Sequence, residues 1–222
     1  MTSRFRLMTA NLLNVRSDST AFASLVARFD PDVVVVQELG PAAAEILENR
    51  YPVHQLRPAH DFDGRGLASR LPGETFWIPM DGRDGVGAKL QLDSATIRVA
   101  GIHLINPLDF PWWSSKRRRG LQIDGLFGWL SQDEGPAVVA GDFNATPRWP
   151  AYKRVAARLD DLVLGQSDRP DPTWGYRPGW PKVLRIDHIF GAGVVATNVE
   201  TAAVDGSDHV AVVADLAVVD PA

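Results

Sequence analysis

Two periodicities take turns along the chain. Phe5 to Thr9 is a short apolar run of strand type, followed by Ala10-Asn11 at its end. Phe22, Leu25, Val26 and Phe29 then recur at i, i+3, i+4 and i+7, the stripe of an amphipathic helix. Asp30-Pro31 stops it, because the residue before a proline is driven out of helical geometry. Val33 to Val36 is an unbroken β-branched run, as in a strand buried on both faces, and it ends in Gln37-Glu38. Pro41, suited to a first helical turn, opens a short helix over Ala42 to Glu48. Strands are predicted around 66–70, 86–92 and 96–102, the last ending in His103. Ile123, Leu126, Phe127 and Leu130 mark a helix from about 115 to 131. A strand over 137–141, a helix near 149–159 and strands over 184–190 and 209–218 complete the pattern. Helices alternating with strands predict an α/β layered protein.

Composition narrows this only a little. With 222 residues and 45% hydrophobic content, one core can be filled, and no linker, repeat or low-complexity stretch divides the chain, so 1–222 is expected to be a single domain. The formal net charge of −4 argues against a protein that grips long nucleic acid by its backbone. Lys116-Arg117-Arg118-Arg119 is a local basic run, read as a solvated helix start. There is no cysteine, hence no disulfide or thiolate chemistry. No basic-then-apolar leader and no apolar run of about 18 residues is present, so a cytoplasmic protein without a membrane span is expected, with a monomer favoured.

The chemistry lies where apolar runs stop. Val138-Val139-Ala140-Gly141 ends in Asp142-Phe143-Asn144, and residues two apart on an extended chain point the same way. Asp142 and Asn144 can therefore address one centre, a carboxylate for a proton or metal and an amide for orientation. Asn11, Glu38 and His103 also stand at strand ends, where ligand sites of layered sheets gather. Glu38 suits a hard divalent cation such as Mg²⁺. Asp187 lies between apolar neighbours in Arg185-Ile186-Asp187-His188-Ile189-Phe190, so its carboxylate needs a partner, and His209 is the candidate. Such a pair fixes the imidazole tautomer and favours imidazolium. Asp208 stands beside it and can complete a metal site.

Taken in order, Asn11, Gln37-Glu38, His103-Leu104, Gly141-Asp142-Phe143-Asn144, Arg185 to Phe190 and Gly206-Ser207-Asp208-His209 resemble the endonuclease/exonuclease/phosphatase superfamily, the fold of DNase I. Gly66-Leu67-Ala68-Ser69-Arg70 and Arg119-Gly120-Leu121-Gln122 agree with it, and the likeness runs from about position 5 to 217. The resemblance implies a four-layered α/β/β/α sandwich and Mg²⁺- or Mn²⁺-dependent hydrolysis of a phosphoester. By position, Glu38 would bind the metal, with Asp208 and Asn11 close by. Asp142 would orient and deprotonate the attacking water, and Asn144 would hold that water or a phosphate oxygen. Asp187 would brace His209 toward the scissile phosphate. His103 would donate to a phosphoryl oxygen or help the leaving group, and Arg119 would bind substrate.

Departures from the pattern refine the expectation. His103 stands where abasic-site endonucleases of the superfamily typically carry Tyr, and Leu13 where some add an acidic ligand. This points toward the branch holding DNase I, sphingomyelinases and phosphatases of inositol or nucleotide derivatives. Two aromatic loops, 107–113 with Trp113 and 174–180 with Trp174, either contact a substrate's base, aryl group or lipid, or simply pack onto the sandwich. The expected activity is phosphodiester, and secondarily monoester, cleavage of a small or nucleotide-like substrate. A DNA or RNA nuclease is the enzymatic alternative, and a catalytically silent phosphate-ligand-binding domain is the alternative of another class.

Overall fold

A computed structural model describes residues 3–14, 16–93, 95–109, 111–166 and 170–219. In chain order the elements are β1 (Arg4–Asn14), α1 (Ser19–Phe29), β2 (Val33–Leu39), α2 (Pro41–Arg50), β3 (Val53–Arg57), β4 (Arg65–Ser69), β5 (Gly73–Ile78) and β6 (Gly85–Gln91). There follow β7 (Thr96–His103), α3 (Trp112–Leu130), β8 (Ala137–Asp142), α4 (Pro150–Ala156), β9 (Asp160–Asp161), β10 (Asp187–Ala192), β11 (Val194–Ala203) and β12 (Val210–Val218). The strands form two six-stranded sheets, ordered β11-β12-β1-β2-β4-β3 and β5-β6-β7-β8-β10-β9.

Strand alternation assigns each sheet two apolar faces. Phe5, Leu7, Val33 and Val35 of the first sheet meet Val86, Val99, Val138 and Ala140 of the second in one core between the sheets. Met8, Ala10, Val34 and Val36 face the other way, against Phe22, Val26 and Leu47 of α1 and α2. Ala100, Ile102 and Val139 likewise pack on Ile123, Leu126 and Val155 of α3 and α4. The result is the four-layered α/β/β/α sandwich of DNase I-like proteins. Local chemistry agrees with the sequence at the first helix: Asp18 accepts from Thr20 N and Ala21 N, and Asp30 ends the helix in a left-handed conformation.

Four strands escape the sequence pattern: β3, β5, β9 and β11. These are the four sheet edges. An edge strand carries polar residues and leaves one rim unpaired, so its apolar alternation is diluted; β11 reads Val-Val-Ala-Thr-Asn-Val-Glu-Thr-Ala-Ala. The strand expected over 184–190 begins only at Asp187. Thr173 Oγ1 takes the N–H groups of Ile186 and Asp187, at 3.1 and 3.0 Å, which diverts these donors from a ladder, and Leu184 forms only an isolated bridge to Trp174. Among the described residues, no helix is long and apolar enough to cross a membrane.

Candidate active site

Sheet register sets the polar strand ends side by side. His103 on β7 is paired with Asp142 on β8, and Asp142 with Asp187 on β10. In the other sheet Asn11 on β1 pairs with Gln37 on β2, one residue before Glu38. His209 enters β12 and bridges Trp174. The ends of both sheets open into a cleft of about 600 Å³, whose lining includes Glu38, His103, Asp142, Asn144, Asp208 and His209.

The backbone is strained at this opening. Leu13, Glu38 and Asn144 have φ of 48°, 52° and 46°, a left-handed conformation that costs an L-residue about 1–2 kcal/mol. All three line the cleft. Gly141, just before Asp142, has φ of 143°, and a Cβ there would stand 2.0 Å from Ile102 O. Only glycine fits where these strands deliver the carboxylate.

Asp142 is the centre of the hydrogen-bond network. Its Oδ1 accepts from Asn144 N at 2.7 Å, and its Oδ2 from Asn11 Nδ2 at 3.1 Å. His103 Nε2 and His209 Nε2 lie 3.5 and 3.9 Å from Oδ2. Asn11 Nδ2 also donates to Glu38 Oε1 at 3.0 Å, while its Oδ1 accepts from Leu13 N at 3.0 Å. Asn11 thus holds two carboxylates with its NH₂, and its oxygen is committed to the backbone; in this conformation it braces Glu38 rather than offering an oxygen ligand. Asn144 Nδ2 donates to Leu104 O at 2.9 Å and approaches Asp142 Oδ2 at 3.4 Å. Asp187 Oδ2 sits 2.9 Å from His209 Nδ1, which is the Asp–His pair expected from burial.

Burial and charge push the ionisable groups apart. Burial, and then the Asp187 carboxylate, raises Asp142 to about 7. Burial pulls His209 down, but the charge and hydrogen bond of Asp187 outweigh it and raise the ring to about 9. His103 is driven well below the usual histidine range, first by burial and then by Arg83, so it is neutral. Burial raises Glu38. At neutral pH the site therefore holds an imidazolium, a neutral imidazole and a carboxylate close to its titration point, a set fitted to proton transfer and charge stabilisation.

The donor set also fits a divalent cation. Asp142, Asp187 and His209 offer ligand atoms within 4.8 Å of one another. Their contacts are directed at each other, however, and His209 Nδ1 is occupied by Asp187. Glu38 Oε2 and Asp208 Oδ1 are buried oxygens with no hydrogen-bond partner, and both residues line the cleft. Asp187 Oδ1 is also unpartnered, but Asp187 is not part of that lining. A buried carboxylate oxygen left without a donor is costly, and a hard cation is what such oxygens accept. Asp208 is steadied from the other side, with Trp174 Nε1 donating to its Oδ2 at 3.0 Å.

Two substrate-side expectations move. Arg119 donates Nη1 to Asn144 O at 3.3 Å and lies over the Trp149 ring, but is not itself part of the cleft lining, so its contact is with the Asn144 turn. Trp113 is 64% exposed on α3 and also lies outside the lining, while Trp174 is within it. Three residues were overlooked. Ser207 Oγ donates to Asn11 O at 2.8 Å and accepts from His209 N at 3.0 Å, tying the His209 turn to β1. Its place in the Gly206 to His209 motif was the available signal. Thr173 fixes the Asp187 backbone, and Arg83 lines the cleft; neither stands in a motif that marks it.

Below this floor, His188 is fully buried, with Nε2 2.8 Å from Ala145 O and Phe143 and Tyr152 at its ring. Burial, then Arg185, lowers its pKa to about 4. The unfolded histidine titrates near 6.5, so between these values the unfolded chain binds the extra proton and stability rises with pH. The contribution is complete above about pH 6.5 and is lost as pH falls toward 4, by about 3 kcal/mol. Asp142 and Glu38, whose pKa values are raised, contribute with the opposite sign. The difference between wild type and His188→Gln isolates the effect: on going from pH 7 to 4, wild type should lose more Tm than the variant. Parallel Tm curves would contradict a neutral buried His188.

Comparison with known proteins places this geometry. A profile of the Endonuclease/Exonuclease/phosphatase family matches residues 8–209, and the chain belongs to that family, whose members are generally metal-dependent hydrolases of phosphoester bonds. A UPF0294 protein of Vibrio vulnificus (strain CMCP6) is 30% identical over 137 residues, covering 60% of this chain and 44% of that protein. A UPF0294 protein of Vibrio campbellii (strain ATCC BAA-1116) is 28% identical over 138 residues, with the same coverage of 60% and 44%. The matched region thus spans less than half the length of these curated relatives. Among solved structures, an endonuclease/exonuclease/phosphatase from Beutenbergia cavernae DSM 12333 superposes with a TM-score of 0.77 at 21% identity, over 98% of this chain and 72% of that one. Humanized D. rerio TDP2 gives 0.78 at 19% identity, over 96% and 98%, and the human Nocturnin catalytic domain 0.70 at 17%, over 96% and 94%. These likenesses establish the fold.

Proposed function

We propose that this protein is a Mg²⁺- or Mn²⁺-dependent phosphoesterase that cleaves phosphodiesters of small or nucleotide-like substrates by direct attack of water. The observation that carries this reading is the convergence of Asp142, the Asp187–His209 pair, His103 and Asn144 on one cleft with two unsatisfied carboxylate oxygens, on Glu38 and Asp208. Glu38 and Asp208 would hold the cation, with Asn11 fixing Glu38. When bound, the cation supplies Lewis-acid neutralisation of charge on the phosphoryl group.

The chain's own residues perform the proton and charge steps. Asp142, near neutral in pKa, accepts a proton from the water that attacks phosphorus. Asn144 spends its NH₂ on Leu104 O and Asp142, which leaves its oxygen to orient that water. The His209 imidazolium, held by Asp187, stabilises the negative charge that grows on the phosphoryl oxygens. Neutral His103 lies beside Asp142 on the same floor, within reach of a phosphoryl or leaving-group oxygen.

Substrate size follows from charge placement. Lys116 and Arg117 are exposed on α3, Arg118 pairs with Asp81, and Arg119 is turned toward Asn144, so the basic run forms no track into the cleft. A small substrate is expected to give a shallow dependence of KM on salt, and Lys116→Ala with Arg117→Ala should leave KM in place. A panel of plasmid DNA, oligonucleotides, bis(p-nitrophenyl) phosphate and p-nitrophenyl phosphate, run with Mg²⁺, Mn²⁺ or EDTA, tests this. Efficient plasmid cleavage, with log affinity falling by about 0.9 per phosphate contacted for each tenfold rise in salt, would favour the nuclease reading instead.

A further inference from the structure

Arg83 is the only lysine or arginine among the described residues that line the cleft. Glu38, Asp61, Asp63, Asp109, Asp142 and Asp208 line it as well, so an anionic substrate meets a wall rich in carboxylate. The Arg83 side chain is 12% exposed, and its Nε and Nη2 both donate to Asp63 Oδ1, at 3.2 and 3.1 Å. Two donors converging on one oxygen leave the guanidinium fork without the two-acceptor partner that suits it best. Asp63 itself is 65% exposed, so water can replace the arginine at little cost.

The two partners differ in exposure, with the Arg83 side chain largely buried and that of Asp63 largely exposed. Arg83 sits in the segment that joins β5 to β6. Gly82 has φ of 70°, and a Cβ on it would stand 2.7 Å from Arg118 Nη2. Arg118 Nε lies 3.7 Å from Asp81 Oδ2, and Met80 N donates to Asp84 Oδ1 at 3.3 Å. Asp63 belongs to an exposed turn, in which its own N–H donates to Asp61 Oδ1 at 2.9 Å. Arg65 Nη1 donates to Asp63 O at 2.7 Å, so the Asp63 backbone is held as well; what is replaceable is its exposed carboxylate, not the largely buried guanidinium. Arg83 lines the same cleft as Glu38 and His103.

Resting on the phosphoester reading of the cleft, we infer that Arg83 binds a second phosphate of the substrate, beside the scissile one, and that Asp63 holds the arginine until this phosphate displaces it. The substrate class is accordingly a phosphoester that carries a further phosphate. A phosphate can present two oxygens to the guanidinium fork, where Asp63 engages it through Oδ1 alone. Asp63 then acts as a stand-in anion that keeps the guanidinium placed in the empty cleft.

Calorimetric titration in Mg²⁺ with thymidine 3′,5′-bisphosphate and thymidine 5′-monophosphate tests this without reference to turnover. Wild type should bind the bisphosphate more tightly by about tenfold or more, the usual size of a charge-assisted contact. Arg83→Gln should bring the two Kd values together, and Arg83→Lys should restore part of the difference. Asp63→Asn should tighten the bisphosphate further, and this gain should vanish when combined with Arg83→Gln. Equal Kd values in wild type, a preference that survives in folded Arg83→Gln, or no binding of either nucleotide would overturn the inference. Wild-type hydrolysis of bis(p-nitrophenyl) phosphate, which has a single phosphate, reports on the phosphoester reading alone. Its failure alongside an Arg83-dependent preference would remove the activity and leave the anion site standing.

Discussion

Glu38→Gln is expected to lower turnover by about 10³-fold or more while leaving the protein folded, since the Lewis-acid contribution of a bound cation amounts to several kcal/mol. The physical reason is the state of the two carboxylate oxygens. Oε1 is satisfied by Asn11, and Oε2 is buried without a donor. Burial alone already raises the pKa of this group, so the charged form is held at a cost that a cation would offset. The amide keeps the shape and can still accept from Asn11, but it removes the charge that attracts the metal. Thermal denaturation supplies a readout separate from catalysis. Excess Mn²⁺ should raise the Tm of wild type, because ligand that binds only the folded state stabilises it by RT ln(1 + [L]/Kd), and the shift should be lost in the variant. Without metal, the variant should melt no lower than wild type. Full turnover by Glu38→Gln, or an undiminished Mn²⁺ shift, would remove Glu38 from the metal site.

Asp142→Asn and His209→Ala should each reduce kcat by about 10²–10⁴-fold with much smaller changes in KM, the usual range for general-base and electrostatic contributions. In the proposed mechanism the two act on one event. Asp142 Oδ2 and His209 Nε2 lie 3.9 Å apart over the same floor, and the carboxylate needs the imidazolium as much as the reverse. Asn in place of Asp142 can still accept from Asn144 N, yet it cannot take a proton at neutral pH. Ala in place of His209 also strands Asp187, whose Oδ2 loses its partner. The double variant should therefore be far less impaired than the product of the single losses, as for residues that serve one transition state. Steady-state kinetics of the four proteins on one diester measures this, and strictly multiplicative losses would mean that the residues do not share a transition state.

How much of this was visible in the sequence depended on burial. The central strands announce themselves: Val33 to Val36 is covered on both faces by the inter-sheet core and by α1 and α2, so nothing polar interrupts the run. The edge strands did not, because half of their environment is water and their sequence follows it. Residues of the candidate site were legible where an apolar strand stops on a polar side chain, as at Glu38, His103 and Asp142, which line one cleft. Register then did what sequence could not display, setting His103, Asp142 and Asp187 abreast on three strands. The Asp187–His209 pair was readable from the cost of burying a carboxylate alone. Arg119 and Arg83 show the limit. Arg119 belongs to a motif and bonds the Asn144 backbone outside the cleft lining, whereas Arg83 belongs to none and lines the cleft. Direction of a side chain outside the regular elements is a tertiary property, and a connection such as the one carrying Arg83 between β5 and β6 has no periodicity from which to read it. The left-handed backbone at Leu13 and Glu38 was equally invisible, since neither residue type favours it.

The central claim is metal-dependent attack of water on phosphorus, and it is tested most directly by turnover of bis(p-nitrophenyl) phosphate in H₂¹⁸O with Mn²⁺. One ¹⁸O should appear in the released p-nitrophenyl phosphate and none in p-nitrophenol, with product formation abolished by EDTA. No turnover with either Mn²⁺ or Mg²⁺, turnover that persists in excess EDTA, or label in the phenol would contradict it.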